Sequence, residues 1–168
     1  LIKRNITPHK NKWSLPGGFV HGDEKLEEAA VRIFGKETGI APKYINQFRT
    51  YSDTGRDKRP VNGEKVRVIT TSFIAIYTSS ENPVLTEESS DYEWFKVPRR
   101  YIQRSIPPLA FDHDQILLDA SNRLRINLEY QGLATRFLSD YFTLGEIQDV
   151  YEIIWEVELD PANFRDKL

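Results

Sequence analysis

The chain has 168 residues, with 23 lysines and arginines against 25 aspartates and glutamates, a formal charge of −2 and 29% charged residues. That length suits one domain of roughly 130 residues plus part of another, and the charge balance excludes a generally cationic, nucleic-acid-coating protein. Cysteine is absent, which excludes disulfides, a thiolate nucleophile and Cys-type zinc sites. No run nears the roughly 18 apolar residues of a membrane span and no signal peptide is visible, so the expectation is a cytoplasmic protein with no membrane partner.

Leu1-Ile2-Lys3-Arg4 reads as a strand. Methionine is missing even at position 1, so residues are expected to precede it. Trp13 to Gly18 form a loop punctuated by Pro16, Gly17 and Gly18. Gly22-Asp23 opens a predicted helix with Asp23 as N-cap and acidic residues in the first turn. Leu26, Ala29, Ala30, Ile33 and Phe34 make its apolar stripe, and Gly39 supplies a left-handed stop. Lys65 to Tyr77 reads as one long strand and Glu93 to Val97 as another, with a polar loop between them. Asp112 and Gln115 stand at capping-box spacing before a helix carrying Ile116, Leu117, Ala120 and Leu124 on one side. Near the end, Thr143 and Glu146 form a capping box for a helix with Ile147, Val150, Tyr151 and Ile154 on one face. Asp160-Pro161 then caps a second helix.

From Gly18 the spacing is five residues to Glu24, seven more to Arg32, then Glu37-Thr38-Gly39-Ile40. This resembles the Nudix box, GX5EX7REUXEEXGU with U aliphatic, which marks hydrolases of nucleoside diphosphates linked to another group. The resemblance implies a loop-helix-loop whose REUXEE carboxylates hold Mg²⁺ or Mn²⁺. Those positions here read Ile33, Lys36 and Glu37. Residues three and four apart share a helix face, and three carboxylates there suit a hard divalent cation. Ile33 offers no ligand atom. A lysine about 5 Å from a divalent ion costs roughly 6 kcal/mol at an effective dielectric near 20. Metal-dependent hydrolysis is therefore expected to be weak or absent. The resemblance further implies that Gly17 and Gly18 approach a diphosphate and that Arg32 orients the site. It leaves Glu37 and Glu24 as remnant catalytic or metal-binding groups if the protein cuts at all. The plain alternative is that these residues now only shape the helix and its loop.

Thr54-Gly55-Arg56-Asp57-Lys58-Arg59 resembles the GRDxR loop of ADP-ribose pyrophosphatase-like Nudix proteins. Arg56 and Arg59 are candidate phosphate ligands, because guanidinium forks match phosphate oxygens; a solvated basic loop would read the same. Arg4 is placed in relatives to face the nucleotide. Lys36 is a candidate for neutralising the diphosphate in place of a metal. Residues 109 to 114 also resemble that subfamily, with His113 a candidate acid-base group near neutral pH, although the explanation of Asp112 as a helix cap needs no function and is the favoured one. Glu87, Glu88 and Asp91 lie in a loop where some Nudix enzymes carry a general base. His9 and His21 show no metal-ligand pattern and are assigned nothing.

The degraded box followed by the two tail helices is similar to the Nudix-related transcriptional regulators. The implied fold is α+β: a Nudix α/β/α sandwich with a mixed sheet over residues 1–125, then a partial winged helix-turn-helix over 126–168. Asn163, Arg165 and Lys167, on the second tail helix, are the candidate DNA-binding residues. Eight acidic against two basic residues from Ser139 to Leu168 keep a rival reading open, the tail as a dimerisation element, and a basic wing is expected beyond residue 168. Implied partners are ADP-ribose or a related nucleotide diphosphate, operator DNA and a second copy of the chain. Sensing needs no cofactor; Mg²⁺ or Mn²⁺ enters only if the protein is hydrolytic. The family includes regulators of NAD metabolism and of sugar catabolism. The second function reading is an ADP-ribose pyrophosphatase-like hydrolase.

Overall fold

The structure is a computed structural model and describes residues 1–57, 60–61, 63–77, 83–84, 86–97, 106–130 and 132–167. Strand β1 (Ile2–Arg4) lies antiparallel between β2 (Trp13–Ser14) and β7 (Ser89–Tyr92), pairing Ile2 with Ser14 and with Tyr92. A single parallel bridge from Trp13 to Leu109 extends this sheet. Between β2 and β7 in the chain come helix α1 (Leu26–Thr38), strands β3 (Tyr44–Tyr51), β4 (Pro60–Val61), β5 (Glu64–Lys65) and β6 (Thr70–Ile76). Strands β3 and β6 pair antiparallel from Tyr44–Ile76 to Tyr51–Thr70, and β4 pairs with β5. Helix α2 (His113–Tyr130), a short 3-10 helix (Leu133–Phe137), α3 (Leu144–Trp155) and α4 (Pro161–Arg165) complete the order.

Several elements depart from expectation. Helix α1 starts at Leu26, not at Asp23. Glu24 is drawn away by Arg32 and by the backbone N–H of His21, so the turn before the helix stays open. Glu28 accepts from the N–H of Lys25 at 2.9 Å, meeting one of the donors a helix start leaves unpaired. In the predicted stripe Ala29 is buried, while Leu26 is 41% exposed. Gly39 ends the helix at φ 71, its N–H donating to the carbonyl of Gly35.

The run Lys65–Tyr77 is two strands with an unpaired stretch at Val66–Ile69. Its composition favours extended backbone, but only the two ends have ladder partners, Lys65 in β4 and Thr70–Ile76 in β3. Residues 93–97 are not a strand; the pairing edge is Ser89–Tyr92, inside what reads as polar loop. Trp94 and Phe95 instead make ring contacts with Tyr77 and Trp13. Strand β3, mixed in polarity, carries little apolar alternation to announce it, because much of one side is exposed.

Both tail caps form as expected. Thr143 Oγ1 accepts from the N–H of Glu146, whose carboxylate accepts from the N–H of Thr143. Asp160 accepts from the N–H of Asn163, with Pro161 opening the helix. Helix α2 runs unbroken through residues 125 and 126. Its buried Leu128 joins Ile76 of β6 with Leu133, Ala134, Ile147 and Val150 in one cluster. The sheet and tail helices therefore share a core, in which each Leu, Ile or Val contributes about 1.5–3 kcal/mol on burial. Among the described residues no helix is long and apolar enough to cross a membrane.

Candidate functional site

Helix α1 carries the box residues and β7 lies beside them. Glu37 is 5% exposed, and its Oε2 accepts from Ser89 Oγ at 3.4 Å. Burial raises its pKa above the ordinary carboxylate value, with the nearby Glu88 charge adding to the rise; Lys36, Ser89 and Arg4 oppose it. Lys36 Nζ stands 3.3 Å from Glu88 Oε1. Glu87, Glu88 and Asp91 are all solvent-exposed, and Glu88 is the loop acid that meets the box, through Lys36.

Glu24 and Arg32 form a clamp. Arg32 Nε donates to Glu24 Oε2 at 2.8 Å and Nη2 to Oε1 at 2.5 Å, while Nη2 also donates to the Phe19 carbonyl at 2.9 Å. Those hydrogen bonds, led by Arg32, hold the Glu24 pKa down at about 2. A Cβ on Gly18 would lie 3.1 Å from Ile33 Cγ1, so Ile33 fills the space over the Gly18 backbone, whereas a Cβ on Gly17 would meet only the Leu15 carbonyl oxygen, at 4.0 Å.

This donor set does not fit a divalent cation. Ile33 has no ligand atom, both Glu24 oxygens are engaged by Arg32, and Lys36 brings a positive charge to Glu88. Among the described residues no group of three or more His, Asp or Glu side chains is arranged to hold a metal ion.

Beyond Arg4 the surface opens into a cleft of about 690 Å³, lined by Thr7, Pro8, His9, Gly55, Arg56, Asp57, Pro60 and Phe111. Arg4 joins the two regions: it acts electrostatically on Glu37, and its guanidinium lies over the Phe111 ring, 5.1 Å from the centroid. Arg56 borders the cleft, but its side chain is 5% exposed and its fork is turned inward. Nε and Nη2 donate to Asp112 at 2.7 and 2.6 Å, and Nη1 donates to Thr70 Oγ1. That bidentate pair takes the Asp112 carboxylate away from the predicted capping box; the Gln115 N–H bonds the Asp112 carbonyl instead. Arg59 lies outside the described residues.

His113 has a structural partner rather than a free edge. Its Nδ1 accepts from the N–H of Leu15 at 3.0 Å, fastening the loop before the box to α2. Burial lowers its pKa to about 4, against a smaller rise from Asp112. Its Nδ1 is thus engaged in a structural hydrogen bond, and its pKa lies below the near-neutral value expected from sequence. His9, given no role from sequence, lines the cleft at φ 63. Neither its position nor the Arg56–Asp112 pair, 56 residues apart in the chain, leaves a local signal in sequence.

In the tail, Phe164 turns toward Tyr151 at 5.4 Å, while Asn163, Arg165 and Lys167 are exposed. Arg125 of α2 donates to the Ile154 carbonyl at 3.1 Å and to Ser121 Oγ at 2.7 Å. Tyr151 donates to the Leu128 carbonyl at 3.1 Å. Helix α2 therefore begins directly after Asp112, the partner of the cleft-bordering Arg56, and reaches the tail at Arg125 and Leu128.

Residues 1–118 match the NUDIX domain family, and residues 134–168 match the NrtR DNA-binding winged helix domain. The chain is 32% identical over 170 residues to the ADPR responsive transcriptional repressor NtrR of Acinetobacter baylyi, covering all of this chain and 64% of that protein. It is 36% identical over 119 residues to the ADP-ribose pyrophosphatase of Methanocaldococcus jannaschii, covering 71% of this chain and 63% of that one. It thus spans slightly less than two thirds of either relative's length. Shewanella oneidensis NrtR complexed with a 27mer DNA superposes at a TM-score of 0.78 and 30% identity, covering 99% of this chain and 72% of that one. The NUDIX domain of the same protein complexed with ADP ribose gives 0.60 and 30%, covering 73% and 75%. The chain belongs to the Nudix family, and its C-terminal segment is of the NrtR DNA-binding winged helix type.

Proposed function

We propose that the protein is a cytoplasmic, homodimeric transcriptional regulator that senses ADP-ribose or a related nucleotide diphosphate with a Nudix domain unsuited to hydrolysis. Residues 1–125 form the sensing unit and 126–168 part of the DNA-binding unit. Helix α2 carries this reading, because Asp112, directly before its first turn, holds Arg56 at the cleft, and Arg125 and Leu128 near its other end meet the tail. A ligand changes DNA affinity only if it favours one arrangement over another, and a helix packed into both regions is an element through which such a preference passes. The relatives named above support it: one is an ADPR responsive repressor, another is solved with DNA and with ADP ribose. Gly17, Gly18, Arg4 and Lys36 are the ligand-facing residues in this reading. Arg56 shapes the cleft wall, with Arg59 beside it in sequence. Lys36 supplies positive charge where a hydrolase would use a metal. Asn163, Arg165 and Lys167 meet DNA, and no cofactor is required.

The second reading is an ADP-ribose pyrophosphatase-like hydrolase using Mg²⁺ or Mn²⁺ on Glu37 and Glu24. It is favoured by the retained Glu24–Arg32 clamp and by identity to an ADP-ribose pyrophosphatase. Phosphorus NMR of the protein with ADP-ribose and Mg²⁺ over several hours separates the two. Diphosphate signals that broaden or shift and persist are expected. Their replacement by two monophosphate signals would establish the enzyme instead.

A further inference from the structure

Two aromatic residues of the cleft have left-handed backbone, which histidine adopts more readily than most residues and phenylalanine rarely does. His9 has φ 63 and Phe111 φ 56, and their rings meet edge to face with centroids 4.6 Å apart. Both are held in place by Arg4, whose Nε donates to the Pro8 carbonyl at 2.9 Å while its guanidinium covers Phe111. The Lys12 N–H bonds the His9 carbonyl on the other side. His9 nonetheless remains exposed, so the pair is not simply a buried packing contact. Non-glycine residues kept in such conformations cluster where a ligand is gripped. The cleft volume, about 690 Å³, falls in the range of small-molecule sites.

We infer that His9, backed by Phe111, is a stacking platform for the nucleobase of the ligand. This rests on the nucleotide-sensing reading and assigns it a base subsite. The chemistry follows from what surrounds the rings. An exposed imidazole face takes a planar π system at little conformational cost. Arg4 covers Phe111 and also acts on Glu37 of α1, so a guanidinium stands beside the platform and suits an anionic group attached to the ring. A nucleobase carrying a diphosphate meets both requirements.

His9→Asn and His9→Gly remove the ring while suiting the left-handed backbone, so both variants should fold. Calorimetry with ADP-ribose and with AMP, on wild type and both variants, reads the affinity. Saturation-transfer NMR reads which ligand protons touch the protein. Base stacking on an aromatic side chain is substantial, so about a tenfold loss for both ligands is expected in the variants. In wild type the adenine H2 and H8 should be more strongly saturated than the terminal ribose protons of ADP-ribose. Unchanged affinity in both variants, or adenine protons no more saturated than those ribose protons, overturns the platform and leaves the sensor reading standing. Wild type that binds AMP but not ADP-ribose, with AMP weakened in the variants, keeps the platform and removes the ADP-ribose reading. Binding of neither ligand overturns both.

Discussion

Acidification should loosen the fold through His113 before the carboxylates are exhausted. In the native chain its pKa is about 4, because burial disfavours the imidazolium; unfolded, it returns to about 6.5. The folded value is the lower one, so the unfolded chain binds more protons between the two. Stability is complete above about pH 6.5 and is lost as pH falls toward 4. The difference of about 2.5 units corresponds to roughly 3.4 kcal/mol in full, and to roughly 2.5 kcal/mol by pH 4.5. Protonation also strikes a specific contact, since Nδ1 is the acceptor for the Leu15 N–H. His113→Asn keeps an acceptor near that position and cannot titrate. Urea unfolding of both proteins from pH 7 to 4.5 should show wild type losing roughly 2.5 kcal/mol more than the variant. Other groups, Glu37 included, are common to both and cancel. Parallel stability curves, or an imidazole proton NMR titration of His113 centred between pH 6 and 7, would refute the reasoning.

Glu37 has the opposite sign. Its folded pKa is raised by burial, so its contribution is most favourable below the unfolded value and declines as pH rises through the folded one. Glu37→Gln, which can still accept from Ser89, should therefore raise Tm at pH 7, with the gain vanishing near pH 4; a lower Tm at pH 7 would contradict this. Arg56→Met leaves the Asp112 carboxylate without its bidentate partner, at a cost of roughly 3 kcal/mol. Adding Asp112→Asn should recover part of that loss in urea unfolding, and strictly additive losses would show that the pair is not coupled.

Some of this molecule is written in short-range spacing. The box from Gly18 to Ile40, the Gly39 stop, the Thr143–Glu146 box and the Asp160-Pro161 start all follow from groups within a few residues of one another. Local geometry suffices there, because a helix end is satisfied by its own neighbours. The replacement of two metal-binding carboxylates by Ile33 and Lys36 was equally legible, since residue type alone decides whether a ligand atom exists. Tertiary structure decided what those side chains do instead. Ile33 covers the Gly18 backbone, Lys36 meets Glu88 from β7, and Glu24 serves Arg32. It also decided where strands end, because a β-rich run such as Lys65–Tyr77 becomes sheet only where another strand supplies hydrogen-bond partners. The cleft was beyond sequence for the same reason. His9, Arg56 and Phe111 come from three distant segments, and only folding brings an unassigned histidine, an inward-turned arginine and a strained phenylalanine to one wall.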